Sequence, residues 1–345
     1  MGIKTIKRFV RNIIFFIALI VLTFWILFKD QDMNELFTII NMAKKSYIFL
    51  GFFVMLLFFF MEAYNIKSIL KTFGEKISIF KAYKFTLIGF FFSAITPAAT
   101  GGQPMEIYYM KKEKISGAHA TMALLIQLCG FQISTISLGI VCAILNPSIL
   151  KGGLLFLFLL GITINGFALF LMLVCIFSKR LTKKIVNIAL KILTFFKVKN
   201  IEQKMEEINK GLEKYNNNSL YIKSHKKEFI ICILRVFVQI ILYHLIPFCV
   251  YKSFGLSQYN IFQLFTMQAV LYTTVSGLPL PGAIGISETV FLGIYGVAFG
   301  KELLQSAMLL NRGISFYSFV IISLTVVILN IICNKRIEKT NNKTA

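Results

Sequence analysis

The sequence predicts an all-α polytopic membrane protein with about six full spans, two re-entrant broken helices and pseudo-symmetric inverted repeats. Three observations predict it. First, 57% of the 345 residues are hydrophobic and mean hydropathy is +0.75. Apolar runs long enough to cross ~30 Å of hydrocarbon recur along the chain. Second, the net charge of +22 collects in particular loops, as the positive-inside rule requires. Membrane orientation accounts for that charge, so nucleic acid is not needed to explain it. Third, two hydrophobic segments are broken alike by Pro and Gly, at Ser93–Glu106 and at Ser276–Glu288. Backbone that leaves the helix in lipid loses hydrogen bonds that lipid cannot replace, and survives only against protein or a wet cavity. Paired interrupted segments in the two halves of a membrane protein point to a transport site.

The full spans fall at 12–28, 46–63, 117–144, 153–177, 229–250 and 314–333. Lys4, Lys7, Arg8 and Arg11 precede the first, which resembles a signal peptide. Its apolar run is too long for one, and Phe28-Lys-Asp-Gln-Asp lacks a small-residue cleavage site, so it reads as an uncleaved anchor. The N-terminal arm, the 65–84 and 178–228 loops and the 334–345 tail are all basic. The 29–45 loop balances Lys29, Lys44 and Lys45 against Asp30, Asp32 and Glu35, while 145–152 carries only Lys151 and 251–260 only Lys252. Both termini and the large loop are therefore expected in the cytoplasm, in a bacterial cell membrane, with the whole of 1–345 forming one transmembrane domain.

The first broken segment, 85–110, lies between Lys76, Lys81 and Lys84 on one side and Lys111, Lys112 and Lys114 on the other. A single crossing would place one cluster outside, whereas a re-entrant hairpin keeps both in the cytoplasm. The second, 261–300, lies between two weakly charged outer loops. The hairpins then enter from opposite faces, an inverted arrangement common among secondary transporters. One Pro-kinked span in each place is the alternative. Within the large loop, Lys184, Asn187, Lys191 and Thr194 share a stripe of a helix over 181–199, suited to the cytoplasmic interface. Ile201, Met205, Ile208 and Leu212 continue a helical apolar stripe. A plain connector fits equally well.

The breaks carry the candidate chemistry. Pro104 suits the first turn of a restarted helix, where its missing N–H costs nothing, and Gly101 and Gly102 permit tight backbone before it. Free N–H groups and the positive end of the helix dipole would then face whatever fills the break. Thr96, Pro97, Gln103 and Glu106 complete the first candidate site. Pro281, Gly282, Gly285 and Glu288 form the second, with Ser287 as candidate N-cap. Each break is read as restarting with a Glu in the first turn, matched between the halves. Glu106 and Glu288 either help receive a headgroup or only complement the dipoles. Arg235, with Gln239 and Tyr243 on the same face, pairs with a Glu, holds a phosphate or snorkels back to the interface. Arg312 is placed near the outer side. Gln127, Gln132, Gln268, Thr273, Thr274 and Ser276 serve as polar lining or as interhelical links. The six cysteines and three histidines form no ligand pattern, and neither a nucleophile–base pair nor a P-loop is present. No catalytic residue, metal or cofactor is expected.

At Thr96-Pro-Ala-Ala-Thr-Gly-Gly-Gln-Pro-Met-Glu106 and Pro279-Leu-Pro-Gly-Ala-Ile-Gly-Ile-Ser-Glu288 the chain resembles the transmembrane region of lysylphosphatidylglycerol synthases. This is the flippase-like module of bacterial multiple peptide resistance factors, and the likeness covers about residues 5–335. It implies a translocator of phospholipid between leaflets, with lysyl-phosphatidylglycerol a candidate cargo and cationic peptide resistance a candidate outcome. In the full-length family a cytoplasmic domain makes that lipid from lysyl-tRNA and phosphatidylglycerol. Here twelve residues follow Cys333, too few for such a domain. Lysyl transfer by this chain, alone or with a separate synthase, is the alternative reading, and a non-transporting envelope scaffold is another. Expected partners are anionic or aminoacylated phospholipid, a separate synthase and a second copy of the chain. Nucleic acid enters only as lysyl-tRNA under the transferase alternative.

Overall fold

The computed structural model describes residues 32–177, 226–278 and 280–341, together with Ile14, Ile17, Ala18, Val21 and Trp25. Apart from those five positions, the predicted first span lies outside the described residues. So do the interface helix expected within the large loop, Pro279 and the last four residues. All the regular structure described is helical. The chain is a multi-pass α-helical membrane protein, with five helical stretches long and apolar enough to cross a bilayer among the described residues.

The predicted 29–45 loop contains a helix, α1 (Met33–Met42), capped by the Asp32 side chain accepting from the Asn34 N–H. Leu36 and Ala43 are buried. α2 (Lys45–Thr72) runs past the predicted end at residue 63. Tyr64, Asn65, Lys67 and Ser68 dilute the hydropathy there, but Asn65 is wholly buried against neighbouring helices. α3 (Ile79–Ala94) and α4 (Gly102–Lys112) flank the first break. α5 (Gly117–Leu145) and α6 (Gly153–Phe177) follow as the predicted spans do. α7 (Lys226–His244) and α8 (Ile246–Ser253) form one crossing interrupted at Leu245, just before Pro247.

The sixteen-residue α3 is only about 24 Å long at 1.5 Å per residue. Its partner α4 returns to the same side. Lys81 and Lys84, at the start of α3, donate to the two carboxylate oxygens of Glu113, just past α4, at 2.7 and 2.8 Å. Segment 85–110 is therefore a re-entrant hairpin, and the single kinked span is ruled out. Glu75 binds the adjoining loop in the same way, accepting from the Ser116 N–H at 3.1 Å and lying 2.8 Å from His119 Nδ1.

The second hairpin pairs α9 (Ile261–Ser276) with the first part of α10 (Ile286–Arg312). The Tyr295 hydroxyl donates back to the Leu264 carbonyl at 3.1 Å. Gly300, at φ 68° and ψ 173°, breaks α10 and ends the hairpin. The chain then reverses, since a Cβ on Gly296 would contact Leu304. Residues 301–312 run back to the level of the second break and continue through a π-helical turn, Gly313–Tyr317, into α11 (Ser318–Asn341). The last crossing therefore starts after Gly300. The expected start at 314 is too late, because Arg312 interrupts an apolar run whose helix continues through it.

α2 packs on α3, α5, α7 and α8, and the two breaks meet each other beside α3.

Candidate functional site

Both breaks are built the same way. Each has a Pro-led 3-10 turn, Pro97–Ala99 and Pro281–Ala283. The third residue of each turn is an alanine in the left-handed region, Ala99 at φ 53° and Ala283 at φ 52°. Such a φ is uncommon for a residue with a Cβ, and its recurrence is the local signature of the repeat. The two turns pack against each other.

In the first break, the Thr96 hydroxyl donates to the Phe92 carbonyl at 2.6 Å and accepts from the Gly101 N–H at 2.9 Å. One side chain thus satisfies the end of α3 and the start of α4. Gly102 packs onto α3, where a Cβ would overlap Ser93 and crowd the Gly89 carbonyl. A Cβ on Gly89 would overlap the Glu106 carboxylate in turn. These glycines bring α3 and α4 together across the Glu106 side chain, which is 5% exposed. Glu106 makes no hydrogen bond or ion pair among the described residues. Pro97 and Pro104 are exposed and Gln103 half-buried.

In the second break, Gly285 is the N-cap, at φ 87°. Ser287, expected as the cap, is the second residue of α10, and its hydroxyl donates to Glu288 Oε2 at 2.8 Å. The same oxygen accepts from the Gly285 N–H at 2.8 Å. Glu288 Oε1 accepts from Arg312 Nε at 2.8 Å and from the Tyr317 hydroxyl at 3.0 Å. Arg312 also donates to the Gly282 carbonyl at 3.0 Å, and its guanidinium lies 4.3 Å from the Phe316 ring centre. It is 7% exposed, so its expected outer, interfacial position is corrected. The π-helical turn after it sets Phe316 and Tyr317 beside the guanidinium, and such turns often occur at functional sites.

The two glutamates are not equivalents. Glu288 is the third residue of its helix, where its carboxylate accepts from the Gly285 N–H, whereas Glu106 is the fifth residue of α4, past the first turn. The first-turn match read from sequence holds for Glu288 alone. The spacing of the breaks hid this, because α4 starts at Gly102, before Pro104.

A polar chain that sequence reasoning missed links α2, α5 and α7. Glu62, on α2, accepts from Gln239 Nε2 at 3.0 Å, and Gln239 accepts from Gln127 Nε2 at 3.0 Å. Asn65 donates to Gln127 and to Cys232 Sγ. The missed signal was a glutamate in an apolar run, with Asn65, Ser68 and Thr72 following at helical spacing. Gln127 and Gln239 link helices, as such residues commonly do.

Arg235 stands apart from both glutamates of the breaks. It donates to Ser68 Oγ at 2.8 Å, its guanidinium is 5.0 Å from the Tyr64 ring centre, and it lines a cleft with Thr72 and Glu228.

A family model described as the lysylphosphatidylglycerol synthase transmembrane region matches residues 13–323. No curated protein matches the chain.

Proposed function

This chain belongs to the lysylphosphatidylglycerol synthase transmembrane-region family, and from that premise we propose that it moves phospholipid between the leaflets of the cell membrane. The observation that carries this reading is the contact between the two re-entrant tips, with Glu106 and the Glu288–Arg312 pair beside them. Irregular backbone held there by protein suits a site at which a polar headgroup passes the hydrophobic barrier. Glu106 supplies a carboxyl group without a partner among the described residues, which suits a cationic aminoacyl group such as that of lysyl-phosphatidylglycerol. Arg312 already has a carboxylate, so the phosphate is left to the helix-restart N–H groups other than those of Gly101 and Gly285, which Thr96 and Glu288 hold. The cleft at Arg235 and Ser68 is the first phosphate contact on the side of the large basic loop, which we place in the cytoplasm with both termini. A separate synthase is the expected source of aminoacylated cargo.

Headgroup-resolved leaflet exchange in proteoliposomes tests this. Exchange of lysyl-phosphatidylglycerol faster than in protein-free vesicles is expected, and its absence across anionic, zwitterionic and aminoacylated lipids overturns the reading. New lysyl-phosphatidylglycerol in cells that express this chain without any synthase overturns it in favour of transfer chemistry.

A further inference from the structure

The phosphate contact at Arg235 and Ser68 is one end of a longer cleft, and the other end has the opposite chemistry. α2 and α7 run antiparallel here, since Gln239 meets Glu62 while Arg235 meets Ser68. Thr72, the last residue of α2, and Glu228, in the first turn of α7, line the same cleft. The Arg235 end therefore lies deeper between the helices. Thr72 is about 6 Å beyond Ser68 along α2, and Glu228 about 10 Å from Arg235 along α7.

The deep end donates. Ser68 Oγ accepts from Arg235 Nη1 at 2.8 Å, which leaves the Ser68 O–H free to donate. The Tyr64 ring lies beside the guanidinium, and no carboxylate pairs with Arg235 among the described residues. The shallow end accepts. The Thr72 hydroxyl gives its proton to the Ile69 carbonyl at 2.6 Å, so its oxygen is left as an acceptor. Glu228 is exposed and makes no hydrogen bond or ion pair among the described residues. Ile69, Ile126 and Ile231 line the rest of the cleft. On the same stretches of α2 and α7, Tyr64, Ile230 and Leu234 are exposed, as lipid-facing side chains are.

A guanidinium fork suits phosphate oxygens, whereas a primary ammonium has three donors and needs acceptors. A phospholipid already in that leaflet presents its parts in the matching order, with acyl chains toward the midplane, then phosphate, then the group nearest water. We propose that the cleft binds a phospholipid of the large-loop leaflet whose headgroup carries a primary ammonium beyond its phosphate. The phosphate rests on Arg235 and Ser68 and the ammonium on Glu228 and Thr72, while the acyl chains stay against the lipid-facing surfaces of α2 and α7. Glu228 is then the residue that selects the headgroup. A plain glycerol headgroup leaves this carboxylate unpaired and adds no positive charge to offset the phosphate beside it. Onward passage of the bound lipid to the breaks rests on the translocase reading, but the binding does not.

Native mass spectrometry of the purified full chain, titrated with ethanolamine and glycerol phospholipids of identical acyl chains, reads binding without transport. The wild type is expected to hold the ethanolamine lipid severalfold more tightly. E228Q removes that preference without weakening the glycerol lipid, and R235Q weakens both. Equal binding of the two lipids by the wild type, a preference that survives E228Q, or undiminished binding of both by R235Q overturns the site and leaves the translocase standing. Competition by phosphoethanolamine without acyl chains, as strong as by the lipid, overturns the lipid as occupant. The expected binding pattern without leaflet exchange of any lipid overturns the translocase and leaves the site standing. Should R235Q fail to fold, E228Q carries the test, because Glu228 is exposed and no partner among the described residues depends on it.

Discussion

At the residue scale, the two break glutamates differ in what they hold, and the difference is measurable. Glu288→Gln keeps the shape but leaves Arg312 buried without its carboxylate. Breaking a buried pair from one side costs about 3–5 kcal/mol. Glu106→Gln removes no partner and is expected to leave the unfolding temperature at or above that of the wild type. Thermal unfolding in detergent compares them, and equal losses would show that Glu106 is held by structure after all. Arg312→Lys should recover little of the pair's contribution, since Arg312 bonds Glu288 through Nε and the Gly282 carbonyl through a terminal nitrogen. Backbone strain gives a second prediction. Ala99 and Ala283 occupy left-handed positions that cost a residue with a Cβ about 1–2 kcal/mol. Glycine at either site should stabilise the fold by up to about 1 kcal/mol, and valine should destabilise it. Stability changes of the same sign for glycine and valine would count against strain at these turns.

At the element scale, the hairpins were legible and their internal packing was not. Lysines on both sides of 85–110 predicted that its ends share a face, and the Lys81–Glu113–Lys84 clasp is the physical form of that charge argument. The start of α4 was misjudged because Pro104 looked like a first residue, whereas Gly102 begins the helix in order to touch Gly89. A glycine pair that meets in space leaves no periodic trace. Gly89→Ala should therefore push the Glu106 side chain out of its place and impair the hairpin, and Glu106→Ala in the same chain should restore stability by clearing the overlap. A double-mutant cycle reads this as coupling, and additive losses would separate the two positions. The clasp has its own pH signature. Hydrogen bonds from Lys81 and Lys84 hold the Glu113 carboxyl below the usual carboxylate range. Its contribution is therefore present above the unfolded-state pKa near 4.5 and is lost as pH falls through the lower, folded value. The groups are partly exposed, so the effect stays within about 0.2–1 kcal/mol. Unfolding midpoints of the wild type and Glu113→Gln should converge in acid.

At the scale of the whole molecule, the sequence disclosed the membrane class, the four spans from 46 to 250 and the paired breaks, because apolar run length and Pro/Gly interruptions follow directly from the bilayer's thickness and its lack of hydrogen-bonding partners. It disclosed less of the site. Arg312 and Glu62 both sit in apolar runs, and hydropathy assigns such residues to interfaces when only a fold that folds back at Gly300, or a helix that continues to Thr72, carries them inward. The largest consequence is that two segments far apart in sequence share one junction. If that junction is where headgroups pass, its two halves must separate and rejoin, since irregular backbone opens toward one side at a time in repeat-built transporters. Cysteines introduced at Thr100 and Leu280, beside the two turns, should be joined by a short bifunctional maleimide in the membrane-embedded protein. The native cysteines would first be replaced by serine or alanine. The joined protein should lose leaflet exchange, and a cleavable linker should restore it on reduction. A pair that never joins would place the tips apart in the bilayer, and undiminished exchange in fully joined protein would show that lipid passes without the hairpins moving.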